Sequence, residues 1–89
     1  MKLKQFDVIY RCCDLDSHYI VGYIKRIYRK KFLLCWVERN KDNSDYEYES
    51  LYNEAELLKK YKIIGNIKSK EEARTCAIIL KKLLCHKKP

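Results

Sequence analysis

Glycine and proline are scarce in this chain: there are two glycines and one proline in 89 residues, and the proline is the last residue. Collagen-like and Pro/Gly-rich disordered classes are thereby excluded, and few tight turns are expected. No run of eighteen apolar residues occurs, so no membrane-spanning helix is expected. The start, "MKLKQFDVIY", lacks the apolar stretch of a secretory signal. A soluble, cytoplasmic protein without membrane association is the expectation.

Recognisable reaction chemistry is missing as well. There is no P-loop, no dinucleotide fingerprint, and no pair of carboxylates at helical spacing around an apolar cleft. The five cysteines at 12, 13, 35, 76 and 85 are odd in number and irregular in spacing. They are read as reduced, partly buried thiols acting as small hydrophobes, not as a disulfide framework. Cys12, Cys13, His18, Cys35, Cys76, Cys85 and His86 are metal-ligand types, yet no C-x2-C or H-x3-H spacing occurs. Adjacent Cys12 and Cys13 point to opposite faces of a strand. Cys12 or Cys13, His18 and Asp14 or Asp16 share one turn, without the glycine-rich nest that would stabilise an oxyanion. No cofactor, no metal and no enzymatic activity are expected.

What remains is globular. Apolar residues make up 47% and charged ones 36%, which is enough for one small core. The chain reads as a single domain over residues 1–89, with a β-meander at 5–50 and a helix–strand–helix unit at 53–85. Net charge is +8, unevenly spread: residues 1–37 carry +5, residues 38–58 carry −5 and residues 59–89 carry +8. Such asymmetry governs encounter with charged partners.

Alternation of Phe6, Val8, Tyr10 and Cys12 with Asp7, Ile9 and Arg11 predicts a first strand. "CDLDS" is turn chemistry, and "HYIVGYIKRIY" is a second strand in which Gly22 marks a bulge or a close backbone approach. "FLLCWVER" follows a three-residue turn. Phe32, Leu34 and Trp36 share one face and Leu33, Cys35 and Val37 the other, which suits a central or strongly curled strand. After the polar turn "NKDNSD", the segment "YEYES" sets Tyr46 and Tyr48 against Glu47 and Glu49, as in a two-faced edge strand.

Asn53 with Glu56 predicts a capped short helix, "KIIGNI" a brief strand, and "SKEEARTCAIILKKLLCHKK" an amphipathic helix. In that last helix Ser69 caps and Glu72 completes the box. Ala73, Cys76, Ala77, Leu80 and Leu84 form the buried stripe, and Lys81, Lys82 and Lys87 complement the helix dipole. The fold class is α+β: a curled antiparallel β-meander closing toward a small barrel, then a short helix, a further strand and a C-terminal amphipathic helix.

"YIKRIYRKKFLLCW" places five cations within seven positions. On a hairpin, Lys25, Arg26, Arg29, Lys30 and Lys31 crowd the tip, where like charges repel unless a counter-charge meets them. Phosphates would meet them, and Tyr28, with Tyr23, would add a stacking surface. The competing reading is a solvated tip, or one neutralised by the acidic segment through Asp45, Glu47 or Glu49. Lys59, Lys60, Lys62, Lys68, Lys70 and Arg74 would extend the patch if the fold brings them alongside. The acidic edge with Tyr46, Tyr48 and Tyr52 suits a protein interface.

"LYNEAELLKKYKIIGNI" resembles the closing part of YopX-like domains, small phage and prophage proteins. Ser50, Leu51, Tyr61, Ile63, Ile64, Gly65, Asn66 and Ile67 carry the resemblance, and "VGYIKRIYRKKFLLCW" is similar to that family's strand pair. The resemblance implies an SH3-like curled fold and a phage or prophage origin, with no activity to transfer. "SKEEARTCAIILKKLL" also resembles the last helix of double-stranded-RNA-binding domains, with Lys68, Lys70 and Arg74 near the phosphate-contacting positions. That family opens with a helix where this chain opens with a strand, and a capped amphipathic helix accounts for the same letters. The expected function is a basic, non-enzymatic binding module of phage type whose partner is nucleic acid. The alternative is a domain that docks on a host protein. Oligomeric state stays open.

Overall fold

Residues 3–13, 18–39 and 44–85 are described by a computed structural model. The turns read in "CDLDS" and "NKDNSD" and the tail "CHKKP" lie largely outside these residues. Strands β1 (Val8–Cys13), β2 (His18–Ile27), β3 (Phe32–Arg39) and β4 (Asp45–Tyr52) are followed by helix α1 (Glu54–Lys60), strand β5 (Lys62–Ile64) and helix α2 (Lys70–Cys85). All pairings are antiparallel, in the order β4-β3-β2-β1-β5. Among the described residues β4 and β5 do not pair, so the sheet is open, not a closed barrel.

The period-two patterns hold because the sheet is buried on both sides. On one face Val8, Val21, Tyr23, Cys35 and Val37 pack under α2, which contributes Ala73, Ala77 and Leu84. On the other, Ile9, Ile24, Phe32, Leu34 and Trp36 gather around Leu3 and Leu57 of α1. The Phe32/Leu34/Trp36 and Cys35/Val37 faces of β3 divide between the two cores, as the alternation required. Trp36 is the largest fully buried side chain, with Tyr52 and Tyr61 against its ring at 5.6 and 5.7 Å and its indole N–H donating to Ser50 Oγ at 2.8 Å.

Gly22 lies opposite Trp36 in the ladder, in the close-approach role; the bulge falls three residues on, at Lys25. Ser69 caps α2 as expected, its Oγ accepting from Glu72 N–H at 3.1 Å. Asn53 stands at the start of α1 without a side-chain capping bond, so the helix is held by Leu57 packing instead of a capping box. Lys81 corrects the dipole reading. It is buried in the stripe beneath α2, where its ammonium donates to the Tyr19 carbonyl and to Glu38 Oε1, the latter at 2.9 Å. No helix among the described residues is long and apolar enough to cross a membrane.

Candidate nucleic-acid interface

The bulge that places Lys25 between Ile24 and Arg26 twists the β2–β3 hairpin where its charged end begins. Tyr28 N–H donates to the Lys31 carbonyl at 2.8 Å and closes the turn, so residues 28–31 stand out beyond the last ladder pair, Ile27–Phe32. Tyr28 is half exposed and Ile27 nearly so. Arg26, Arg29, Lys30 and Lys31 are exposed and make no ion pair among the described residues. Beside them is a recess of about 530 Å³ lined by the apolar Leu3, Ile27 and Phe32, by Tyr28, Arg29 and Lys30, and by the carboxylate-bearing Glu54, which makes no ion pair with them. Tyr23 is not part of this surface. It is 1% exposed, because the alternation of β2 turns it into the core beneath α2.

The acidic edge strand directs its carboxylates elsewhere. Glu47 and Glu49 project to the α2 side of β4. Glu49 accepts from Lys25 Nζ, and Glu47 Oε2 accepts from Arg74 Nε at 2.6 Å. Two of the cations assigned to the interface, Lys25 and Arg74, are therefore neutralised within the chain, while the turn cations are not. The side chain of Asp45 lies outside the described residues.

Glu47 is also a junction. Its Oε1 accepts from Tyr23 Oη at 3.3 Å and from Cys35 Sγ at 3.2 Å, so one carboxylate ties β4 to β2, β3 and α2. Burial disfavours its charge, but the hydrogen bonds from Arg74 and Cys35 outweigh burial and hold the carboxyl below its ordinary value. Burial first, then the Cys35 contact, pushes the Tyr23 hydroxyl up, and burial likewise raises the Cys35 thiol. Cys35 is thus held in the unreactive thiol form.

A depressed carboxyl stabilises the fold above its unfolded value, and that contribution is lost as pH falls through the folded one. Glu47→Gln is expected to cost about 1 kcal/mol at pH 7 and to flatten the stability profile on the acid side of pH 5. Urea midpoints between pH 3 and pH 7 measure this. An unchanged acid slope in the variant would show that Glu47 is not the linked group.

Lys68 and Lys70 are exposed at the start of α2. Lys70 and Arg74 line a recess of about 250 Å³ together with Lys25, which joins the base of the hairpin to the helix start on one side of the sheet. Lys60 and Lys62 line a different recess, with Tyr10 and Arg11, so the cations near α1 do not extend this patch. Tyr46 and Tyr48 stack on each other at 6.4 Å and are nearly half exposed, whereas Tyr52 belongs mainly to the Trp36 core. The recess beside Tyr28 escaped sequence reading, because Leu3 and Glu54 reach it from distant segments. Neutralisation by Glu47 or Glu49 was one of the two sequence readings, but the cations they take, Lys25 for Glu49 and Arg74 for Glu47, were not readable, since these contacts span 24 and 27 positions. Comparison with protein-family models, with curated proteins and with solved structures found no match.

Proposed function

We propose that this chain is a small, non-enzymatic nucleic-acid-binding module that grips phosphates with its β2–β3 turn and stacks a base on Tyr28. The observation that carries this reading is the division of charge: the acidic strand engages Lys25 and Arg74, and Arg26, Arg29, Lys30 and Lys31 stay uncompensated around an exposed aromatic ring. Repulsion among four such cations disfavours the isolated tip, and a polyanion relieves it. Lys68 and Lys70 add a second contact on the α2 side, with Arg74 as its internally paired border.

The strand order, with a short helix between the fourth and fifth strands, supports an SH3-like small-barrel reading in open form. On the YopX-like resemblance, the module would be a phage-encoded accessory protein acting in a host cytoplasm. A second reading, docking on a host protein, is favoured by the exposed Tyr46–Tyr48 stack on the edge strand.

Fluorescence anisotropy with a random-sequence single-stranded oligonucleotide, titrated from 50 to 300 mM salt, tests the proposal. The expected result is a log-linear loss of affinity with salt. Lys30→Glu with Lys31→Glu is expected to weaken binding at least tenfold and lower the slope by about 1.4. Tyr28→Ala removes roughly 1–3 kcal/mol on single strands. Binding that is unchanged by the double reversal would reject the turn as the contact.

A further inference from the structure

One flank of α2 is only partly used by the core, against which Cys76 and Leu80 pack, while Ile79 and Leu83 face outward; the proposed interface uses none of it. Thr75, Cys76, Ile79, Leu80 and Leu83 recur at spacings of one, three, one and three, and Ile79 and Leu83 are more than half exposed. Together with Ile64 of β5 at the end of the sheet, they line a recess of about 660 Å³ that is mostly apolar, with Glu71 and Glu72 at its α2 start. It lies on the opposite flank of α2 from Arg74 and Glu47.

We infer that this face is a homodimer interface in which α2 packs antiparallel against α2 of a second copy about a two-fold axis. The occupant is identified by charge. Glu71 and Lys82 are eleven residues apart, three helical turns, so both lie on the same flank of the apolar stripe. In an antiparallel two-fold pair, like flanks meet. Each Glu71 then faces Lys82 of the other copy, twice per dimer, with Cys76 and Ile79 close to the axis. Neither residue has an ion pair within the described part of the chain. The helix dipoles also run antiparallel in this arrangement. A 16-residue helix measures about 24 Å, so the contact alone falls below the area of a standard stable interface, and a weak dimer is expected.

Sedimentation equilibrium of the full chain between about 1 and 300 µM, at about 150 mM salt to screen the net charge, tests this. The wild-type chain is expected to shift from monomer to dimer across that range, and Leu83→Glu to raise the dissociation constant at least tenfold. Circular dichroism checks that Leu83→Glu keeps its helix, as an exposed position should.

Glu71→Lys and Lys82→Glu provide the decisive arm. Each variant alone sets like charges against each other at both contacts and is expected to dimerise at least tenfold more weakly. An equimolar mixture restores opposite charges at both contacts and is expected to form heterodimers near wild-type strength. A wild-type chain that stays monomeric at 300 µM overturns the proposal and leaves the face to another occupant. A mixture no stronger than its components overturns the antiparallel arrangement.

Discussion

Gly22→Ala is expected to destabilise the chain by about 3 kcal/mol or more, beyond what one added methyl group usually costs. A Cβ at this position would sit 2.5 Å from Trp36 Cε3 and 2.8 Å from the Cys35 carbonyl oxygen. Neither neighbour gives way easily. The carbonyl is backbone of a strand that is paired on both sides. The indole is 2% exposed, bounded by Tyr52 and Tyr61 and anchored by Ser50. Reduced entropy of the unfolded chain returns less than about 1 kcal/mol and does not offset the overlap.

Trp36 is the chain's single tryptophan, so its fluorescence in a urea titration reports on the affected site directly. Trp36→Leu should cost several kcal/mol alone yet interact favourably with Gly22→Ala, because the smaller side chain makes room for the methyl group. A Gly22→Ala midpoint within about 0.5 kcal/mol of wild type would show that the sheet relaxes at no cost.

Lys81→Ala carries the second large expectation, a loss of about 3 kcal/mol. The lysine is 1% exposed, and its ammonium serves both Glu38 and the Tyr19 carbonyl across from α2. Truncation withdraws that donor from a part-buried carbonyl and from a carboxylate whose side chain is only 21% exposed, and it also leaves a void under the helix. Lys81→Met fills the void without restoring the charge. Combining it with Glu38→Gln is expected to recover more than half of the loss, since the carboxylate is then no longer left behind. Chemical denaturation of the three variants separates the two contributions. If Lys81→Met alone matches wild type, packing and not charge is what the lysine supplies.

How far the fold was legible follows from the same residues. The division of β3 between two cores could be read directly, because alternation registers burial on each face separately. The Ser69 cap and the hairpin turn were readable because they are local. Lys81 was not, although its position was written in the pattern: it follows Ala73 and Ala77 at intervals of four and precedes Leu84 by three, squarely on the buried stripe. Charge pointed to the surface, and only the distant Glu38 and Tyr19 reverse that inference. Asn53 failed in the opposite sense, since a favourable residue type stands at the helix start without making the bond. The candidate interface was half legible. Composition located the turn cations, but the ones that would be neutralised depended on which carboxylates of β4 face α2, a matter of long-range register.

That register has a further effect on α2. Over its first half the helix rests on Ala73 and Ala77, which are too small to index it along the sheet by shape, and Leu84 is its large buried contact near the end. Arg74 and Lys81, seven residues apart, reach Glu47 and Glu38 on different strands. These contacts act like two pins through a sliding bolt: a shift of one helical turn would withdraw both at once. Where the alanine seat does little to fix the helix lengthwise, the paired charges and Leu84 select one position of the bolt.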